Sequence, residues 1–140
     1  MTGFIEGQSF TFDLTVRAGD IDRFAALSGD VNPLHMDAAF ARERGFSTRV
    51  VHGALLAAYV SRMVGMHCPG TDAILHSMSL QFEKPVYPDD AIQVQAVVDH
   101  LSPGTGVCVL KISIQNLVTG AIHAHGKVQV GLTQPIAVPR

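Results

Sequence analysis

The sequence predicts an α+β fold in which an antiparallel sheet of about five strands wraps around one long buried central helix. The prediction depends on three observations. One strand-like segment comes first, a strongly apolar helical segment follows near the middle, and four strand-like segments separated by turns complete the chain. Strands that follow a single apolar helix favour a sheet that covers that helix with one face. At 140 residues the chain has the length of one domain, predicted over 1–140.

A strand and two short helices are predicted before the central helix. Apolar residues that alternate with polar ones indicate a half-buried strand: Phe10, Phe12, Leu14 and Val16. Asp20 is expected to cap the first short helix, and Gly29 to end it. Asp37 is expected to cap the second, which stops at Gly45.

The central helix is predicted from Ala54 to Met66, where apolar residues occur on nearly every side. A helix that is apolar all round is typically buried. Its length of about 20 Å suits the centre of a small domain and is too short to cross a membrane.

Four strands are predicted after Pro69 and Gly70, joined as a meander by turns at 88–90, 102–104 and 119–120. Each strand has one apolar face: Ile74, Met78, Leu80 and Phe82; Ile92, Val94, Ala96 and Val98; Val107, Val109, Ile112 and Ile114; Ile122, Ala124, Val128 and Val130. The apolar phase of the third set shifts once, which predicts a bulge near Lys111.

Composition restricts the classes of partner. The formal net charge is −2 and no cluster of Lys and Arg occurs, so neither nucleic acid nor a membrane is expected as a partner. Apolar residues make up 47% of the chain and charged residues 16%, which predicts that another subunit covers part of the surface. Two isolated cysteines, Cys68 and Cys108, and an N-terminus unlike a signal peptide favour a reducing, cytoplasmic location.

The segment from Asp30 to His35 is the strongest candidate for a site. Pro33 disfavours helical geometry at Asn32 and pushes that residue toward an extended conformation. The chain is therefore expected to turn there and to aim a carboxylate and an imidazole at one small volume. Such a pair can bind one water and act as general acid and base. The alternative is that Asp30 ends a helix and His35 is an ordinary loop residue.

A second candidate is Gly53, which follows His52 at the start of the central helix. The first amides of a helix lack intrahelical partners, and a glycine there lets a ligand approach the backbone N–H closely. A carbonyl oxygen that gains negative charge would be stabilised at this point. The alternative is a plain helix start, since glycine is tolerated as a cap. Ser61 lies on the polar side of the same helix. A structural role, in which its hydroxyl bonds to a helix carbonyl, is as good an interpretation as a role in the site.

Other histidines are weaker candidates. His123 and His125 alternate with apolar residues and share a face with Lys127, which favours a solvated strand face over a metal edge. His67 and Cys68 lack a second pair at ligand spacing, so no zinc site is predicted. A hydrogen-bonded core position is the favoured interpretation of His76.

The motifs Asp30-x-Asn32-Pro33-x-His35 and Val51-His52-Gly53 together resemble the MaoC-like, (R)-specific enoyl-CoA hydratase family. The resemblance covers about 10–130 and includes the Phe-x-x-Pro-Val step at 82–86. It implies a hot-dog fold, and a homodimer or a larger assembly of dimers with the substrate tunnel at the subunit interface. One departure is Arg49, where relatives often carry proline; it leaves the motifs intact and affects the expected entrance.

The same resemblance implies reversible hydration of a trans-2-enoyl-CoA to an (R)-3-hydroxyacyl-CoA, without cofactor or metal. Asp30 and His35 would be the catalytic pair and Gly53 N–H would receive the thioester carbonyl. Ser61 would help to orient the pair, and Asn32 is the third substrate-binding candidate.

Three further interpretations remain open from the sequence. A hot-dog acyl-CoA thioesterase would direct water at the carbonyl carbon instead. A non-catalytic acyl-thioester binding or regulatory protein would tolerate the loss of Asp30. A dehydratase could also take its substrate on acyl carrier protein. The basic candidates for contact with a phosphate of the carrier are Arg49, Arg62 and Lys84.

Overall fold

The computed structural model describes residues 3–133, so residues 1–2 and 134–140 of the predicted domain 1–140 lie outside it. Five antiparallel strands form one sheet, and the longest helix packs on its inner face, which confirms the predicted fold class and has the form of a hot-dog fold. The elements are β1 Ser9–Thr15, α1 Ala18–Ser28, α2 Pro33–Met36, α3 Ala38–Glu43, α4 Gly53–Met66, β2 Ala73–Phe82, β3 Ala91–Ser102, β4 Val107–Asn116 and β5 Ile122–Leu132.

The strand order is β1-β3-β4-β5-β2, and every neighbouring pair is antiparallel. The predicted meander is therefore correct for β3 to β5 and wrong for β2, which pairs with β5 at the edge of the sheet. Apolar alternation identifies the buried face of a strand but not its neighbour, so the sequence pattern could not distinguish the two orders.

The β2–β3 connection crosses the end of the sheet. It passes two strands, β5 and β4, over residues 83–90 before it reaches β3. Val51 N–H donates to Val86 O at 2.9 Å, and Asp89 N–H donates to Val16 O at 2.6 Å. The crossing segment is thereby held both to the residues that lead into α4 and to Val16, which follows β1.

Helix α4 begins at Gly53, one residue before the predicted start, and buries one side against the sheet. The buried residues are Leu55, Leu56, Val60, Met63 and Val64. The opposite side, with Ala54, Ala58, Ser61 and Arg62, is exposed in the single chain, so the expected burial on all sides is wrong for one copy. Among residues 3–133, no helix combines the length and hydropathy needed to cross a membrane.

The predicted bulge near Lys111 is also misplaced. Strand β4 alternates without interruption, with Cys108, Leu110, Ile112 and Ile114 buried. The irregularity lies in the partner strand β3, between Val98 and His100. Residues 107 and 109 are apolar too, so both faces of β4 resemble a core face. The prediction took these two residues as the buried ones, and this choice created the apparent shift at Lys111.

His123 is buried, with 4% of its surface exposed, which corrects the interpretation as a solvated strand face. Its Nδ1 is 3.1 Å from the carbonyl oxygen of Lys84 and its Nε2 is 3.4 Å from Asn116 Nδ2. Backbone N–H groups of Glu83 and Lys84 in turn donate to His123 O. This buried polar group fastens the crossing segment to β5.

The two predicted short helices are present as α1 and α3, but the cap of α1 is wrong, α3 ends at Glu43 instead of Gly45, and the four-residue helix α2 was not predicted. Asp20 lies at the third position of α1 and accepts from the N–H of Arg17, which is the N-cap. Gly29 ends α1 with a positive φ of 80°, and Asp37 caps α3 by accepting from Ala39 N–H.

Both thiols are buried, and burial raises the pKa of Cys68 to about 12 and of Cys108 to about 11. Since the thiolate is the reactive form, we expect alkylation by iodoacetamide at pH 8 to be at least about 100-fold slower in the native protein than in urea. Mass spectrometry of timed samples measures both rates. Fast labelling of the native protein would contradict the described burial.

Candidate active site

The turn between α1 and α2 is built by local hydrogen bonds. Asp30 Oδ1 accepts from Asn32 N–H at 3.3 Å, and Asn32 Oδ1 accepts from Leu34 N–H at 2.9 Å as the N-cap of α2. Asn32 has the extended ψ of 132° expected before proline, and Pro33 occupies the first turn of α2. The turn places the side chain of His35 opposite that of Asp30.

The two side chains approach without a direct hydrogen bond, since His35 Nε2 is 3.9 Å from Asp30 Oδ2. His35 Nδ1 lies 2.7 Å from the carbonyl oxygen of Val50, an acceptor, so this nitrogen carries the proton. Nε2 is therefore the nitrogen that faces Asp30 with a lone pair when the ring is neutral. The His35 side chain is 15% exposed and that of Asp30 is 51% exposed. One water molecule can contact both groups.

His52 belongs to this cluster, and the sequence analysis missed it. Its Nε2 donates to the carbonyl oxygen of Asp30 at 2.9 Å, and its ring stacks on His35 with centroids 3.9 Å apart. The edge of Phe24 packs against the other side at 4.9 Å. His52 is buried, and its Nδ1 has no hydrogen-bond partner among residues 3–133. The motif Val51-His52-Gly53 contained this residue, but only its glycine was given a role.

A metal ion does not fit this cluster, although Asp30, His35 and His52 each offer a ligand atom within 4.8 Å of the others. An imidazole binds a metal along its ring plane at about 2.0 Å. The two rings are stacked with only 25° between their planes. Their planes therefore do not converge on one point at that distance.

A cavity of about 330 Å³ opens beside His35. Its wall is mostly apolar, with two charged residues from the crossing segment. It is lined by His35, Phe46, Val50, Val51, Gly53, Leu56, Phe82, Glu83, Lys84, Pro85 and Val86. Glu83 is also paired with His125 Nε2 at 2.8 Å. The shape and lining suit an acyl group attached to a polar carrier.

Gly53 lies in the cavity wall as the first residue of α4, where its N–H has no intrahelical partner. A Cβ at this position would come within 3.2 Å of Cζ of Phe82. The lack of a side chain therefore makes room for the Phe82 ring, which the sequence analysis did not foresee.

Of the other candidate residues, only one borders the cavity. Asn32 uses its side-chain oxygen within the turn, and Ser61 is exposed on α4, about 12 Å beyond Gly53 along the helix axis. Lys84 lines the cavity, whereas the guanidinium of Arg62 lies 4.2 Å from the ring centroid of Phe12 on β1. Arg49 points inward, with 17% of its side chain exposed.

Comparisons with known proteins identify the family and agree with the fold. Residues 4–116 match the family described as MaoC like domain. The chain is 39% identical over 98 residues to an (R)-specific enoyl-CoA hydratase of Rhodospirillum rubrum, covering 70% of this chain and 68% of that protein. It is 45% identical over 80 residues to a mitochondrial 3-hydroxyacyl-acyl-carrier-protein dehydratase of Arabidopsis thaliana, covering 56% and 47%. The solved (R)-hydratase of Aeromonas caviae superposes with a TM-score of 0.87 at 34% identity, covering 92% of this chain and 97% of that chain.

Proposed function

The chain belongs to the MaoC-like domain family, and on that premise we propose that it catalyses reversible hydration of a trans-2-enoyl-CoA to the (R)-3-hydroxyacyl-CoA. The observation that carries the proposal is the 3.9 Å separation of Asp30 Oδ2 and His35 Nε2, where His35, though not Asp30, lines an apolar cavity. Two groups at this separation can contact one water and exchange protons with it.

The chemistry follows from the substrate. A conjugated enoyl thioester is electrophilic at Cβ, so the oxygen of the bound water forms a bond there while Asp30 and His35 take up its proton. The electron pair of the double bond moves toward the thioester oxygen, which becomes an enolate. The pair then returns a proton to Cα, which completes the addition of water. Dehydration uses the same groups in reverse.

The developing enolate oxygen needs a donor, and Gly53 N–H at the N-terminus of α4 is the proposed one. The first amides of a helix and its dipole favour negative charge. Gly53 and His35 both line the cavity, so one thioester can meet the amide and the bound water together.

We expect Gly53→Ala to lower kcat/KM by about tenfold, because it keeps the N–H but adds a methyl group beside a donor whose full loss would cost 10²–10³. The new methyl group would lie 3.2 Å from Cζ of Phe82, so this ring, which is 54% exposed, must shift by a few tenths of an ångström beside the donor site. Steady-state kinetics with crotonyl-CoA measure the effect. The matched control is Gly65→Ala on the same helix, where a Cβ meets no atom within 4 Å. Equal, wild-type rates for both variants would contradict the role of Gly53.

Coenzyme A is the proposed carrier because relatives from Rhodospirillum rubrum and Aeromonas caviae are named enoyl-CoA hydratases, and Lys84, the basic residue in the described cavity wall, is the proposed phosphate contact. The relative from Arabidopsis acts, by its name, on acyl carrier protein. The hydration rates of crotonyl-CoA and of the matching carrier-protein thioester should therefore be compared at equal concentration.

The cytoplasm is the proposed location.

A homodimer is proposed through the edge strand β2. Among residues 3–133 this strand pairs only with β5, and three of its large apolar side chains are more than a third exposed: Ile74, Leu75 and Phe82. Ser61 is exposed and does not line the cavity of its own chain, so we propose that it serves a site through the second copy. Sedimentation velocity tests the dimer, and a monomer at all concentrations would contradict it.

The direct test is the ultraviolet absorbance of crotonyl-CoA with purified protein, followed by an (R)-specific dehydrogenase on the product. Loss of the enoyl absorbance with an (R)-product is the expected result. Release of free thiol from a saturated acyl-CoA would indicate a thioesterase instead. Tight acyl-CoA binding without any turnover would indicate a regulatory protein.

A further inference from the structure

Helix α2 is too short to satisfy its own last carbonyl groups. It has four residues, so the carbonyls of Leu34 and His35 find no amide further along the helix. Val50 N–H donates to Leu34 O at 3.1 Å. Arg49 Nε donates to His35 O at 2.6 Å. The residue that faces Asp30 is therefore held at its backbone by a side chain from another segment.

Arg49 is itself fixed by α1. Its Nη2 pairs with Asp22 Oδ1, and the same nitrogen lies 3.9 Å from Met36 Sδ. Only 17% of the Arg49 side chain is exposed, against 76% for Arg23, which pairs with Asp20 on the surface of α1. A planar guanidinium can make both bonds at once, whereas an ammonium group cannot reproduce that fork. Arg49 thus joins α1 to α2 at the position of His35.

We propose that Arg49, anchored by Asp22, is a positioning residue that sets the place of the His35 imidazole against Asp30 and the bound water. The proposal rests on the proposed hydration and adds a residue to its machinery. Arg49 holds the backbone of His35, while Val50 O fixes Nδ1 and the His52 ring supports the face of the imidazole. The competing role is a contact with a phosphate of the carrier, but the guanidinium is already committed inside the protein.

The two roles differ in kinetics. A displacement of reacting groups by about 1 Å can cost 10²-fold. We therefore expect Arg49→Met to lower kcat about 10- to 100-fold with little change in KM, and equally for crotonyl-CoA and crotonyl-pantetheine, which lacks the nucleotide phosphates. Arg49→Lys should recover only part of kcat, and Asp22→Asn should lower kcat mildly. The matched control is Arg23→Met, which removes an exposed arginine of α1 next to Asp22. Its kcat and KM should equal those of the wild type.

A readout independent of turnover is the imidazole ¹⁵N spectrum of His35. In the wild type it should report a single tautomer protonated at Nδ1, because this nitrogen donates to Val50 O. In Arg49→Met the His35 signals should shift or broaden, and in Arg23→Met they should not. If Arg49→Met fails to fold, the same His35 signals are measured in Arg49→Lys and Asp22→Asn instead.

Each outcome decides one claim. A rise in KM for crotonyl-CoA alone, with kcat unchanged, would overturn the proposal in favour of a phosphate contact. Unchanged kinetics and unchanged His35 signals in Arg49→Met would overturn it as well. If the wild type hydrates no enoyl thioester, the proposed function fails, and the ¹⁵N comparison still decides whether Arg49 positions His35.

Discussion

Replacing Asp30 with asparagine is expected to reduce hydration of crotonyl-CoA by about 10²–10⁴-fold, the usual contribution of a general acid or base. An amide has the shape of the carboxylate but cannot accept a proton from water. Its oxygen can still accept from Asn32 N–H, as Oδ1 does in the wild type, so the turn is preserved. Initial rates from the enoyl absorbance, with melting curves by circular dichroism, measure activity and folding separately.

Asp37→Asn is the matched control for this variant. Asp37 is an acidic residue near the same turn whose Oδ1 accepts from Ala39 N–H and Phe40 N–H, which an amide oxygen can also do. Its rate should stay within about twofold of wild type, because surface changes of this kind cost little. Near wild-type turnover by Asp30→Asn would remove Asp30 from the mechanism.

His35→Ala is expected to lose about 10²–10⁴-fold of the same rate. The imidazole is the partner of Asp30 at the bound water, and its Nε2 lies 3.9 Å from the carboxylate. Truncation also removes the hydrogen bond to Val50 O and the stacking on His52, so some loss of stability will accompany it. His35→Asn offers an amide NH₂ as a donor for Val50 O but has no nitrogen that accepts a proton. It should therefore be as inactive as His35→Ala.

A double variant that combines Asp30→Asn with His35→Ala tests whether the two groups act as a unit. Its steady-state kinetics are compared with those of the two single variants. Residues that act together give strongly non-additive losses. The double variant should therefore be little slower than either single variant. A loss equal to the product of the two single losses would mean that the residues act in separate steps. His100→Ala, an exposed histidine on β3, is the control for removing an imidazole.

Much of this architecture could be predicted from local patterns. Pro33, Gly29 and Asp37 act through backbone preferences that depend on a few neighbouring residues, and the structure gives each of them the expected geometry or an expected helix-end role. The apolar residues of α4 likewise identified the helix that packs on the sheet. The turn that brings His35 near Asp30 follows from these same rules.

The larger errors concern contacts between distant segments. The place of β2 beside β5, the burial of His123 under the carbonyl of Lys84, and the stacking of His52 on His35 all depend on tertiary packing. From the sequence, Arg49 was a candidate for contact with a phosphate, whereas in the structure its Nε donates to His35 O. Spacing along one sequence contains no information on which side chain satisfies a carbonyl group from another element.

The most direct measurement of the central claim is hydration of crotonyl-CoA in H₂¹⁸O, with mass spectrometry of the intact thioester and of its fragments. If Asp30 and His35 direct a water to Cβ, one ¹⁸O will appear at Cβ of an intact 3-hydroxy thioester. With Asp30→Asn at the same concentration the label will enter at least about 100-fold more slowly. Label in a released carboxylate, or no label at Cβ with the wild type, would contradict the account.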